Sequence, residues 1–527
     1  MKEDGARQHG LILVAVCFLY YLPGVFSPRD FWVADEARYA DVLREMIEKG
    51  HWLVTYLNGE FYPDKPPAYF WLCAAVSRLG GAITPRACLV VTWLSALGTV
   101  LATYALGRSI SGARPAFLGT LAMVATLLFL GCAQIVRMDM LLAFFVVVAA
   151  WAFWEGFRRR RARYYAVFYL AAGLAILAKG PLGLAFPFLP AVAFLLWRRE
   201  WKELRRFAAG PGILVTILLV GGWLAAAWMA GEQEFVRNLF ATQIAGRAVK
   251  AFSHPAPFFF YAVLLPFILL PWFPFLVRAV GTRERPVSDD HLFLLLWFTA
   301  GLVLISAISG KLFIYVLPLV PPLAILLGEF LAEILDERRH LGRAFMVEGL
   351  LASVLMFGLL GAVLWTVRRV PPWDACVPGW TAVVFLVVGA GAVVLSVCRR
   401  AAVLFLVLFV GTWAFSSWSM LYLAGRANPY FSGRSVGEEI ARQSATGKDV
   451  RTSGVIRGIF SFYAGQAVPM LAEGDIVPYL EKPRRVVVTH EKEYTIRKAV
   501  LDRRARVSGR CEIAGRKYVV LESKASD

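Results

Sequence analysis

Asp139-Met140-Leu141-Leu142-Ala143-Phe144-Phe145-Val146-Val147-Val148-Ala149-Ala150-Trp151-Ala152-Phe153-Trp154 is an unbroken apolar run with a carboxylate at its head, and Arg158-Arg159-Arg160-Arg161 follows closely. Apolar blocks of about 18 or more residues are long enough to cross a hydrocarbon core of about 30 Å. The pattern of apolar block and short charged turn recurs along the chain. Spans are expected near 11–26, 87–107, 115–131, 138–156, 164–178, 181–197, 208–229, 258–279, 291–309, 312–334, 344–366, 379–397 and 401–423. The reading is an α-helical multi-spanning membrane protein with about thirteen transmembrane helices. Residues 67–80 are apolar but short, which fits a helix at the interface. No small-residue cleavage site follows the first segment, so it reads as an uncleaved signal anchor.

Composition agrees. Of 527 residues, 58% are hydrophobic and 18% charged, and the mean hydropathy is +0.60. A soluble protein of this size is far less apolar. The formal charge of +19 does not point to nucleic acid, because much of it is Arg in short loops and no aromatic-plus-basic signature accompanies it. The cysteines show neither metal spacing nor an obvious pairing, and several lie inside spans as small hydrophobes.

Basic residues set the orientation. Arg158 to Arg163, Arg198 to Arg206, Arg278 to Arg285, Arg338 to Arg343, and Arg399 with Arg400 all fall on one side of a thirteen-span arrangement. That side is expected to be cytoplasmic, with the N-terminus. The loops around Asp35, Asp139, Lys179, His254 and Lys311 then face the opposite side. The expected division is a membrane domain over 1–424, with an outer loop over 27–86, and a periplasmic α/β domain over 425–527. In the tail, Arg485-Val486-Val487-Val488-Thr489 and Tyr518-Val519-Val520-Leu521 read as strands, with a helix between them from Glu491 to Arg504.

The outer-side polar residues carry the chemistry. Asp35 and Glu36 open a helix with apolar positions at Ala40, Leu43 and Ile47. Asp35 reads either as a helix N-cap or as a carboxylate that orients or deprotonates an acceptor. Tyr62, Asp64 and Lys65 precede Pro66 and Pro67. Lys65 either snorkels at the interface or sets a point charge on phosphate, with the Tyr62 hydroxyl as a further donor. Asp139 has the same two readings as Asp35, and two carboxylates flanking one reaction centre are common in sugar chemistry. Lys179 and Lys311, with Tyr315 a turn further, stand where positive charge is usually sparse. A charge in that position is a candidate functional group, and with Lys65 and Arg247 they would form a cationic pocket. His254 reads either as a structural histidine at the entry to a span or, with Asp64, as part of an open divalent-metal site (zinc or another ion), for which two candidates fall short of a full ligand set.

Asp35-Glu36-Ala37-Arg38-Tyr39, Leu57-Asn58-Gly59 and Lys65-Pro66-Pro67 together resemble the start of the bacterial lipid A aminoarabinose transferases. These are GT-C membrane glycosyltransferases related to the dolichyl-phosphate-mannose-protein mannosyltransferases. The resemblance continues through Leu177-Ala178-Lys179-Gly180-Pro181-Leu182, His254-Pro255-Ala256-Pro257-Phe258 and Gly310-Lys311-Leu312-Phe313-Ile314-Tyr315. It implies a polyprenyl-phosphate sugar donor and a lipid or protein acceptor on the periplasmic side of the bacterial inner membrane. By the same resemblance, Asp35 and Asp139 would sit at the transfer centre. Tyr62, Lys65 and Arg247 would hold the donor phosphate, and Glu36, Lys179, Lys311 and Tyr315 would line the pocket. Asp64 and His254 would match a metal position, although Asp64 stands where the family pattern has Glu.

The expected function is sugar transfer from a polyprenyl-phosphate donor to lipid A. Positive side chains would stabilise charge on the departing phosphate. No dinucleotide fingerprint or P-loop is present. A protein O-mannosyltransferase is the alternative enzyme. A flippase for lipid-linked sugars is the alternative class, but transporters place charges near the midplane on repeated broken helices, and here they cluster at span ends.

Overall fold

The computed structural model describes residues 2–208, 210–240, 256–281, 288–308, 310–337, 342–369 and 373–524. Arg247 and His254 lie outside the described residues. The chain forms two compact units, one of residues 1–26, 63–69 and 89–421, the other of residues 27–62, 70–88 and 422–527.

The first unit is helical. Among the described residues, nine helices are long and apolar enough to cross a membrane, and a tenth is added if a bent pair counts as one span. The remaining expected spans are the helices Ala162–Lys179 and Leu182–Trp197 and the stretch Ala113–Cys132. The last was expected as one continuous helix. It breaks after Val124 and resumes at Leu127.

The expected span 258–279 is likewise two helices, Phe260–Ile268 and Phe273–Gly281, bent by 114°. Pro271 falls in the break and has no N–H to continue a helix. The two breaks answer each other, because the Leu127 amide donates to the Leu270 carbonyl at 2.9 Å. A backbone group left open at membrane depth is thereby satisfied within the protein.

Glycine allows one particularly close crossing, of helices Ala113–Val124 and Val320–Leu335. A Cβ on Gly119 would run into the Ala324 carbonyl, and one on Gly328 into the Pro115 carbonyl. Small residues at such crossings let membrane helices approach closely enough to gain dispersion energy.

The second unit holds the outer loop and the tail. Helix Asp35–Lys49 ends on Gly50, whose φ of 74° closes it in the left-handed region. A short hairpin follows, β1 (Tyr56–Leu57) with β2 (Glu60–Phe61). The tail carries β3 (Asp449–Ser453), β4 (Met470–Leu471), β5 (Arg485–His490), β6 (Ala505–Ile513) and β7 (Arg516–Ser523) in one sheet of order β4-β3-β5-β7-β6. The β3 strand pairs parallel with β4 and β5, while β7 pairs antiparallel with β5 and β6. Val486 and Val488 join one buried cluster and Val487 the other, so β5 is covered on both faces. That explains its continuous apolar sequence. The helix expected from Glu491 to Arg504 is two, Glu491–Ile496 and Lys498–Arg504.

Candidate active site

In the first unit, four charged groups collect around one helix start. Asp139 is the first residue of helix Asp139–Arg159, and Lys179 is the last of helix Ala162–Lys179. Each charge suits its end, since a helix N-terminus favours an anion and a C-terminus a cation. Gly180, with φ 81°, stops the second helix so that Lys179 stands at its end. The Lys179 ammonium donates to Asp139 Oδ1, and Arg137 Nε donates to Oδ2 at 3.2 Å. The Asp139 and Lys179 side chains are only 4% and 7% exposed. Lys179 Nζ also lies 4.6 Å from the centre of the Tyr315 ring, and Lys65 acts electrostatically on Asp139.

The capping reading of Asp139 fails on geometry. Met138 holds the cap position, and Asp139 spends both oxygens on cations. Lys311 is buried and turned back on its own loop, its Nζ donating to the Ile308 carbonyl at 2.5 Å. The Tyr261 hydroxyl steadies the next residue by donating to the Leu312 carbonyl at 3.3 Å.

The second unit places the other carboxylates. Ala34, not Asp35, is the cap of helix Asp35–Lys49, and no side chain caps it. Asp35 remains one-third exposed, 3.6 Å from Arg38, whose guanidinium lies 5.2 Å from the centre of the Tyr62 ring. Glu36 is buried, pairs with Arg29 and accepts from the Trp32 amide at 3.1 Å. It therefore shapes the entry to the helix. Tyr62 is buried, with its amide donating to the Thr55 carbonyl at 2.8 Å.

Deeper in that helix, Asp41 accepts from Arg44 at 2.8 and 3.0 Å and from the Asn58 amide at 2.7 Å. Asn58 Oδ1 in turn accepts from the Val468 amide and the Ser461 hydroxyl, both at 2.7 Å. The Leu57-Asn58-Gly59 turn thus ties the Asp35 helix to Ser461 and Val468 of the tail within one unit.

Arg137 and Arg38 are the contributors that motif reading passed over. Both were visible in the sequence, two and three residues from the carboxylates they pair with. Among the described residues, no group of three or more His, Cys, Asp or Glu is arranged to hold a metal. Asp64 therefore has no described ligand set around it, and His254 is outside the described residues.

A family model described as dolichyl-phosphate-mannose-protein mannosyltransferase matches residues 64–225. The undecaprenyl phosphate-alpha-4-amino-4-deoxy-L-arabinose arabinosyl transferase of Edwardsiella ictaluri is 31% identical over 376 residues, 69% of this chain and 66% of that protein. The match thus spans just under two thirds of that relative. The transferase of the same name from Pseudomonas paraeruginosa is 32% identical over 396 residues, 72% of this chain and 69% of the relative. The crystal structure of ArnT from Cupriavidus metallidurans bound to undecaprenyl phosphate superposes with a TM-score of 0.77, covering 98% of both chains at 22% identity. The fold is therefore the GT-C fold of a multi-spanning membrane protein. On these identities and coverages, the chain belongs to the family of undecaprenyl phosphate-aminoarabinose arabinosyl transferases.

Proposed function

We propose that this chain is a glycosyltransferase of the bacterial inner membrane. It moves a sugar from a polyprenyl-phosphate donor to lipid A on the periplasmic side. The membrane domain over 1–424 carries the reaction, and the domain over 425–527 faces the periplasm. The observation that carries this reading is the buried Asp139, shared by Lys179 and Arg137 at span ends, in a chain of the arabinosyl transferase family. An excess of fixed cations around one carboxylate suits an anionic donor.

Departure of the polyprenyl phosphate leaves negative charge on its oxygens, and preorganised cations lower that barrier without moving. Lys65 and Lys179 supply this charge, with Arg247 and the Tyr62 hydroxyl as further phosphate donors. Asp139 positions Lys179. Lys311 and Tyr315 hold the walls, and Glu36, paired with Arg29, shapes the entry to its own helix. For a hydroxyl acceptor, Asp35 takes the proton; for a lipid A phosphate, it orients the nucleophile. The described residues offer no group of three or more His, Cys, Asp or Glu to hold a metal.

A protein acceptor is the second reading, favoured by the family model over residues 64–225. Intact lipid A from cells with and without the gene separates the two. A sugar-sized mass increase present only with the gene supports lipid A. Unchanged lipid A together with a gene-dependent glycoprotein supports the alternative.

A further inference from the structure

Arg108, Arg158 and Arg159 border a cavity of about 530 Å3, with Ser109, Trp151 and Glu155 also in its wall. It lies where helices Pro85–Ser111 and Asp139–Arg159 end. Asp139 is at the far end of the second helix, which has 21 residues, so the cavity is about 30 Å from it at about 1.5 Å per residue.

The charges here are not balanced internally. Arg159 is taken up by Glu155 one turn earlier. Among the described residues, Arg158 donates only to the Ser109 carbonyl. Asp290 feels its field but makes no ion pair with it. Arg108 makes no hydrogen bond or ion pair to a described residue, and Tyr104 feels its charge. Glu155 is taken up by Arg159, so two guanidinia, Arg108 and Arg158, border one hollow of head-group size with no ion pair among the described residues. Sheer solvation of long arginines would not require a cavity between span ends.

We propose that this cavity binds the phosphodiester head group of an anionic phospholipid. A guanidinium fork matches two phosphate oxygens at once. Trp151 suits the level of the head groups. Basic pockets between membrane helices on the cytoplasmic side hold anionic lipids in this way. The site is separate from sugar transfer and does not rest on the function proposed above.

The test uses the full chain, purified and reconstituted in nanodiscs with defined lipid. Native mass spectrometry would count phosphatidylglycerol retained by wild type, by Arg108→Ala with Arg158→Ala, and by Arg205→Ala as a control from a neighbouring basic segment. The expected result is a bound lipid whose apparent affinity drops at least tenfold in the double variant and is unchanged in the control. Equal retention in all three overturns the proposal. In a second arm, millimolar glycerol phosphate competes with the lipid; complete displacement at that concentration overturns the lipid assignment in favour of a free phosphate, and failure to displace supports it. Should the double variant not fold, a diazirine phosphatidylglycerol can be cross-linked to wild type. Label on residues 105–109 or 151–159 supports the site, and label only elsewhere overturns it.

Discussion

Asp139 opens one helix, Lys179 closes another, and their side chains pair while almost wholly buried. Taking two charges out of water costs several kcal/mol per ion, which the pair offsets only when the geometry is good and neighbours help. Arg137 and the Tyr315 ring are those neighbours.

Removing one partner strands the other. Lys179→Met should destabilise the chain by about 3–5 kcal/mol and cut transfer at least a hundredfold. Adding Asp139→Asn should recover most of the stability and none of the activity. Thermal unfolding in detergent and a transfer assay together read both halves. Recovery of activity in the double variant would count against a role for the pair in charge stabilisation.

Asp35 behaves differently because it is one-third exposed and only 3.6 Å from Arg38. Such a pair contributes about 0–1 kcal/mol. Asp35→Asn should leave membrane insertion intact while abolishing transfer, and Lys65→Ala should do the same. Wild-type turnover in either variant removes that residue from the chemistry.

Asn58 should matter to structure. Its side chain bonds both the amide and the carbonyl of Val468 and the Ser461 hydroxyl, and its φ is 57°. Asn58→Ala loses these bonds and adds strain in the left-handed region. The expected cost is about 2–4 kcal/mol, read as faster limited proteolysis between residues 50 and 62. Unchanged proteolysis would mean that the turn is held by other contacts.

Burial pushes the Asp41 carboxyl up to about 6, with the Arg44 guanidinium pulling the other way. A carboxyl raised above its unfolded value holds its proton longer in the folded state. Its contribution is complete below about pH 4 and is lost as pH rises through about 6, a loss on the order of 3 kcal/mol. Asp41→Asn should flatten that part of the stability curve. Melting temperatures from pH 4 to 7 check this, and identical slopes in the two proteins would show that Asp41 does not titrate there.

Much of this was legible because the membrane makes charge conspicuous. Asp139, Lys179 and Lys311 stand out at the ends of apolar runs, where a charge needs a reason. The β5 and β7 strands were legible from β-branched runs. The break in 115–131 was not, because Ala125 and Thr126 are ordinary helix residues and the Leu127 amide finds its acceptor far along the chain at Leu270. Pro271 marked the other break in plain sight. Sequence left both carboxylates open to a capping role, since a cap and a first-turn residue differ by one position. Only the backbone at Ala34 and Met138 decides that.

Transfer by the purified chain tests the central claim most directly. Wild-type protein would be given undecaprenyl phosphate-linked 4-amino-4-deoxy-L-arabinose and lipid A, and the lipid A mass followed with time. The account predicts a time-dependent gain of one sugar mass in wild type, absent with Asp35→Asn and with Lys179→Met. Folded wild-type protein that leaves both donor and lipid A unchanged would contradict it.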